Sequence, residues 1–209
     1  MNNLSNYGQH FLTDQKVIAD FLAACNLSNK ETVLEIGPGQ GALTTRLCGQ
    51  AKQVVAVEID SSLKPELAKL EHQHANLKVI FANALKVKDF NYDLVCGALS
   101  FAIFEPLLIR LIRFPMPGRL VFLVSYKVKQ DFDKQQGLLF YLLNAFFTVE
   151  FGHKILPQAF SPKPRTAGVI MKLFPCLPKD RRWQEWRRRF LTDKTIWQKT
   201  VPELQEIDC

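Results

Sequence analysis

The sequence predicts an α/β sandwich, a mostly parallel sheet with helices on both faces. Three observations carry that prediction. Short apolar runs alternate with amphipathic stretches along most of the chain. One of these runs, Thr32 to Leu34, leads through Glu35 into the glycine-rich turn Gly37-Pro38-Gly39-Gln40-Gly41, as a buried parallel strand would. Another run, Gln53 to Val57, ends in Glu58-Ile59-Asp60, about 20 residues beyond the turn.

The elements follow in order. Helical spacing predicts a helix over Gln15 to Cys25, with Asp14 as its N-cap. Strands are expected at Thr32 to Glu35, Gln53 to Glu58, Leu77 to Asn83 and Leu94 to Gly97. Helices are expected at Ala42 to Gly49, Ser62 to Leu70 and Pro106 to Arg113. The run VFLV centres a strand over Arg119 to Ser125. A long helix from Asp133 to Phe147 follows, then an antiparallel pair, Thr148 to Ile155 and Gly168 to Phe174. Prolines punctuate Pro175 to Lys179, which divides a main domain, 1–175, from a short basic helical extension, 176–209.

A strand, a glycine turn and a helix start form the place where α/β folds bind nucleotides. Glycine lets the backbone approach a ligand closely. Gly37, Gly39 and Gly41 do not have the G-x-G-x-x-G spacing of a dinucleotide site, and the lysine of a P-loop is missing. Glu58 stands where a carboxylate accepts the two hydroxyl protons of a ribose diol. The plainer alternatives are a turn that serves only packing and a solvated acid at a strand end.

The chain has 209 residues, enough for one domain with a full core and a small appendage. Its five cysteines form no C-x-x-C pair and its four histidines have no ligand spacing, so no metal site is read. No run approaches the roughly 18 apolar residues that span a bilayer, and no signal peptide is read, so a cytoplasmic protein is expected. A net charge of +7 points to an anionic partner, nucleic acid first. The densest basic run, Lys179 to Arg189, interleaves arginine with tryptophan. Trp183, Trp186 and Phe190 have the spacing of a packed helical face, leaving the arginines to solvent or RNA.

Four segments together resemble one family, the ribosomal RNA adenine dimethyltransferases. They are Gly8-Gln9-His10-Phe11-Leu12, Glu35 to Gly41, Val57-Glu58-Ile59-Asp60, and Ala159-Phe160-Ser161-Pro162-Lys163-Pro164-Arg165. The resemblance runs from Tyr7 to Phe174. It implies a Rossmann-like class I methyltransferase sandwich that uses S-adenosyl-L-methionine (SAM) to methylate the N6 amine of adenine in ribosomal RNA. The partner would be ribosomal RNA or a subunit precursor, and the protein a monomer. The cofactor set implied is Gln9, His10, Leu12, Glu35, Gly37, Gly39, Gly41, Glu58, Ile59, Asn83 and Ala84. Phe160, on a proline-stiffened loop, would stack on the target base.

The sequence departs from the family pattern at the catalytic motif, N-I/L-P-Y/F. Here it reads Ala98-Leu99-Ser100-Phe101. The family asparagine and a backbone carbonyl accept the two N–H bonds of the amine and aim its nitrogen at the methyl carbon. Ala98 has no such acceptor, the carbonyl near Leu99 survives any substitution, and Phe101 keeps the aromatic ring. Asn83 replaces an aspartate that accepts from the cofactor's adenine amine, and its amide oxygen is expected to accept in its stead. The family's substantial helical C-terminal domain is represented only by Pro175 to Cys209. Two further readings stay open: a SAM- or RNA-binding pseudoenzyme in ribosome assembly or regulation, and a methyltransferase retargeted to another substrate.

Overall fold

Val33, Val54, Leu94, Leu120 and Val169 sit on neighbouring strands and are fully buried, as β-branched and apolar runs covered on both faces must be. The computed structural model describes residues 9–177 and 180–193, without the side chain of Phe101. Gly8, the end of the C-terminal extension and Cys209 lie outside the described residues.

In chain order the elements are β1 (Phe11–Leu12), α1 (Gln15–Cys25), β2 (Thr32–Ile36), α2 (Thr44–Cys48), β3 (Gln53–Glu58), α3 (Lys64–Gln73), β4 (Leu77–Phe81) and β5 (Leu94–Ala98). They continue with α4 (Phe101–Leu111), β6 (Arg119–Ser125), α5 (Tyr126–Asp133), α6 (Gly137–Phe146), β7 (Phe147–Ile155), β8 (Phe160–Ser161), β9 (Gly168–Pro175) and α7 (Arg181–Thr192). The main sheet has seven strands in the order β4-β3-β2-β5-β6-β9-β7. The first five are parallel, and β9 runs antiparallel to both of its neighbours. Strand order reverses at β2, which lies between β3 and β5, so a crevice opens beyond its carboxyl end.

One apolar cluster joins the sheet to α4, α5, α6 and α7, through residues such as Phe104, Leu108, Val128, Leu142 and Trp186. The other joins it to α1 and α2, through Phe21, Cys25, Leu43 and Leu47. This makes the expected three layers.

Several boundaries differ from the sequence reading for identifiable reasons. The helix expected from Ala42 begins at Thr44 and ends at Cys48, following a turn in which Gly41 takes φ 85°, outside helical geometry. Pro106 does not open α4: Ser100 precedes its first turn, and the proline lies inside the helix. The helix expected over Asp133 to Phe147 is α6, which starts only at Gly137, and a further helix, α5, precedes it. Gln135 and Gly137 both take positive φ, 57° and 80°, and break the chain between α5 and α6. Helix α5 escaped notice because only Val128 of its residues is buried. Val128 and the contacts of Phe132 with Phe140 and Phe151 anchor it, and the i,i+4 ion pairs Lys127–Asp131 and Lys129–Asp133 add to this.

Helix α7 packs as its spacing predicts. Trp186 and Phe190 are buried, and Trp186 stacks on Tyr141 at 5.4 Å. Its arginines are less free than expected. Arg187 donates to the Cys176 carbonyl at 2.8 Å and lies over the Phe146 ring. Arg188 and Arg189 both pair with Glu185.

Candidate active site

The turn after β2 is built on positive φ angles, 68° at Gly37, 57° at Gly39 and 85° at Gly41, which side chains rarely adopt. A Cβ on Gly39 would come within 3.0 Å of the Phe11 ring, so the turn also lies against β1. One strand further in, a Cβ on Gly97 would sit on the Ile36 carbonyl oxygen, and its absence lets β2 and β5 close together at the crevice.

Glu58, at the end of β3, is buried and engaged on both oxygens. Its Oε2 accepts from the Gly39 N–H at 3.0 Å. Its Oε1 accepts from the N–H groups of Ile59 and Asp60, both at 2.9 Å. A carboxylate has about four acceptor positions. Three are used within the protein, leaving room for one further donor rather than the two hydroxyls anticipated from sequence. Glu58 is therefore a brace between the turn and β3 as well as a candidate ligand. Ile59, next in the chain, is 47% exposed and forms an open apolar platform.

Glu35 is buried at the end of β2, and among the described residues neither of its oxygens has a hydrogen-bond partner. Burial pushes its carboxyl up to about 7, the nearby Thr44 hydroxyl partly opposes this, and the charge of Glu58 adds to it. The Thr44 hydroxyl is itself buried and unpartnered among the described residues, as is Asp60 Oδ2. The Ser62 hydroxyl and N–H hold the Asp60 carboxyl below its usual range, with a smaller contribution from the side chain of Gln9. Gln9 is thus brought to the end of β3 from the N-terminal segment.

β1 and β8 pair antiparallel, Phe11 with Ser161 and Leu12 with Phe160. The exposed His10 ring nitrogen Nδ1 lies 2.7 Å from the Pro162 carbonyl oxygen. That carbonyl only accepts, so Nδ1 carries the proton. Two segments about 150 residues apart are tied together beside the glycine turn. Phe160 itself is only 8% exposed and packs with Leu12, Ile155 and Ala159. Its ring is chiefly a core member, with little surface left to face a base. Lys163 and Arg165, in the same loop, are exposed.

At the end of β4, Asn83 Oδ1 accepts from the Leu85 N–H at 2.8 Å. The amide oxygen expected to serve a ligand is thus already engaged in capping a turn, and Ala84 beside it is buried. At the end of β5, the Leu99 N–H donates to the Leu123 carbonyl at 2.8 Å. The Leu99 carbonyl accepts no hydrogen bond among the described residues. Ala98 is half-buried, and Ser100 is exposed with no side-chain bond to the first turn of α4. The side chain of Phe101 lies outside the described residues. The bracing by Glu58 and the His10 tie were not readable from sequence, since residue spacing carries no sign of which backbone N–H a side chain meets.

The sequence pattern of the family described as "Ribosomal RNA adenine dimethylase" matches residues 1–202. The chain belongs to this family. It is similar to the ribosomal RNA small subunit methyltransferase A of Clostridium botulinum (strain Loch Maree / Type A3), 31% identical over 182 residues, which cover 80% of this chain and 66% of that protein. The protein of the same name from Aster yellows witches'-broom phytoplasma is 32% identical over 186 residues, covering 82% of this chain and 68% of that one. The chain thus spans about two thirds of the length of the curated relatives it matches.

Among solved structures, a dimethyladenosine transferase from Plasmodium falciparum superimposes with a TM-score of 0.74 at 27% identity, over 80% of this chain and 64% of that one. The 23S rRNA methyltransferase ErmE gives 0.75 at 24% identity, over 86% of this chain and 77% of that one, a likeness of fold. The sheet is accordingly the class I methyltransferase sandwich that the sequence predicted. Among the described residues, no helix is long and apolar enough to cross a membrane.

Proposed function

We propose that this chain transfers methyl groups from SAM to the exocyclic N6 amine of adenine in ribosomal RNA. One observation carries the reading. Gln9 to Leu12, the glycine turn and the loop Ala159 to Arg165 converge at the carboxyl ends of β2 and β3, the switch point of the sheet. Packing alone does not call for all three together.

The residues suit the cofactor. Gly37, Gly39 and Gly41 place no side chain on the turn at their positions. Glu58 keeps one acceptor position for a ribose hydroxyl, and Ile59 offers an apolar surface for a base. Asp60 Oδ2 is an acceptor without a partner among the described residues, and Glu35 adds a buried carboxyl at the end of β2. Bound SAM supplies a methyl group on a positively charged sulfur, a leaving group that needs no metal. The free Leu99 carbonyl accepts one N–H of the target amine, orienting its lone pair. Phe101 and Phe160 are the stacking candidates for the base, with Phe160 limited by its burial. Lys163 and Arg165 supply cations for RNA phosphates. The methyltransferase unit is 1–175 and the basic extension 176–209. The protein would act as a cytoplasmic monomer on ribosomal RNA or a subunit precursor.

A second reading is favoured by one residue. Ala98 presents a methyl group where the amine's second N–H needs an acceptor, as in a chain that binds SAM and RNA without efficient transfer. Calorimetry with SAM, followed by transfer of labelled methyl to ribosomal RNA and digestion to nucleosides, separates the two. Binding with labelled N6-methyladenosine supports the first reading. Binding without transfer supports the second. No binding refutes the cofactor assignment.

A further inference from the structure

Two thiols meet in the interior, and the site described above uses neither. Cys25 is the last residue of α1, and Cys96 lies in β5, two residues before Ala98. Both are free and fully buried, and both belong to the apolar cluster that joins the sheet to α1. The register explains the meeting. Arg119 opens β6 opposite Leu94, and its Nε donates to the Cys25 carbonyl at 2.8 Å, which fixes the end of α1 over this part of the sheet. Leu94 and Cys96 share the face of β5 that α1 covers, while Val95 faces the other way. A hydrogen bond with the Cys25 thiol, and then burial, push the Cys96 thiol well up. The two sulfurs are neighbours although their residues lie far apart in the chain.

We propose that Cys25 and Cys96 are a redox pair that closes to an intramolecular disulfide and so locks α1 to β5. The co-reactant is a low-molecular-weight disulfide such as oxidised glutathione. One cysteine thiolate attacks a glutathione sulfur, and one glutathione thiolate leaves. The second cysteine thiolate attacks the protein sulfur of this mixed disulfide, and the other glutathione leaves. The two protons shed by the cysteines go to the two departing thiolates, and the two electrons lost by the chain reduce the glutathione disulfide. Burial shields the pair, so exchange goes through opening of the α1 end, and the closed bridge is shielded in the same way. β1, beside the glycine turn, leads into α1, and β5 leads into Ala98 and Leu99. The bridge therefore joins two elements that reach the crevice from different sides.

The test is equilibration of the full chain in equal concentrations of reduced and oxidised glutathione at the midpoint of its urea transition, so that access is not limiting. The urea is then diluted, free thiols are alkylated, and the protein is mapped by mass spectrometry without reduction. The expected result is a monomer in which the Cys25 and Cys96 peptides are joined with loss of two hydrogens. Dithiothreitol should restore both thiols, and the oxidised chain should unfold at higher urea than the reduced one, since the bridge constrains the unfolded segment 25–96. Cys25→Ala should lose the link and the rise in midpoint together. Alkylated Cys25 and Cys96, glutathione retained on either, or a bridge from either to another cysteine overturns the proposal. A bridged chain that unfolds at lower urea overturns the lock, because the bond would then oppose the fold.

Discussion

Replacing Glu35 by glutamine should remove a pH-dependent weakness from the fold. In the folded chain the Glu35 carboxyl titrates at about 7 rather than 4.5, chiefly because burial penalises its charge. At about 1.4 kcal/mol per pH unit, that difference corresponds to about 3 kcal/mol. The sign follows from proton counting. Between the two values the folded state holds a proton that the unfolded state has released. Stability therefore falls as pH rises from 4.5 to 7, and the full penalty remains above 7. Glutamine is the neutral isostere of the protonated acid and cannot ionise. Urea unfolding across pH 4.5 to 8 should show the variant gaining about 3 kcal/mol on the wild type, all of it within that window. The Glu31 carboxyl, held at about 2 chiefly by its hydrogen bond to Arg119, titrates below the window and is common to both proteins. Stability curves that run parallel from pH 4.5 to 8 would show that Glu35 does not ionise there, and would refute the argument from its burial and missing partners.

Other expectations follow from the site and its supports. Glu58→Ala strands the N–H groups of Gly39, Ile59 and Asp60, so calorimetry should find SAM binding lost, and unfolding should show about 2–4 kcal/mol of lost stability. Unchanged affinity would sink the assignment of the pocket. Ala98→Asn supplies the missing acceptor and should raise methylation of adenine by about 10²–10³-fold, by analogy with the loss of one transition-state donor; no gain with SAM still bound favours the second reading. Gly97→Ala forces a methyl onto the Ile36 carbonyl and should cost about 3 kcal/mol, measured by denaturant unfolding. Trp186→Ala empties the contact between α7 and α6 and should cost about 3–5 kcal/mol, with loss of near-ultraviolet aromatic dichroism.

Most strands were legible because burial on both faces writes itself as continuous apolar runs, as in Gln53–Glu58 and Arg119–Ser125. Helix α5 was not, because its apolar contacts are few, chiefly Val128 and Phe132, and stand among charged residues. Pro106 misled, since a proline within a helix resembles one at its start. At the site, residue types and spacing pointed to a nucleotide seat, and family likeness pointed to SAM. What sequence did not carry was the engagement of each polar atom. Glu58 looked like a free carboxylate and Asn83 like a free acceptor. Both have given hydrogen-bonding capacity to nearby backbone N–H groups.

That difference in engagement decides which parts of the site are tied to folding. Glu58 holds the glycine turn to β3, so a change there disturbs the cofactor seat and the fold together. Asn83 is intermediate: its cap needs only an oxygen, which aspartate also provides, so the turn persists through that exchange. Ala98 supports nothing by hydrogen bonding through its side chain, and its backbone stays in register with Leu123 whatever that side chain is. Transition-state chemistry at the end of β5 can therefore vary with little consequence for the sheet. An intact cofactor seat and a well-packed fold carry little information about the rate of methyl transfer here, because they rest on other residues. The A98N rate and the E58A affinity consequently probe separable properties, and only the first bears on whether this chain is an efficient catalyst.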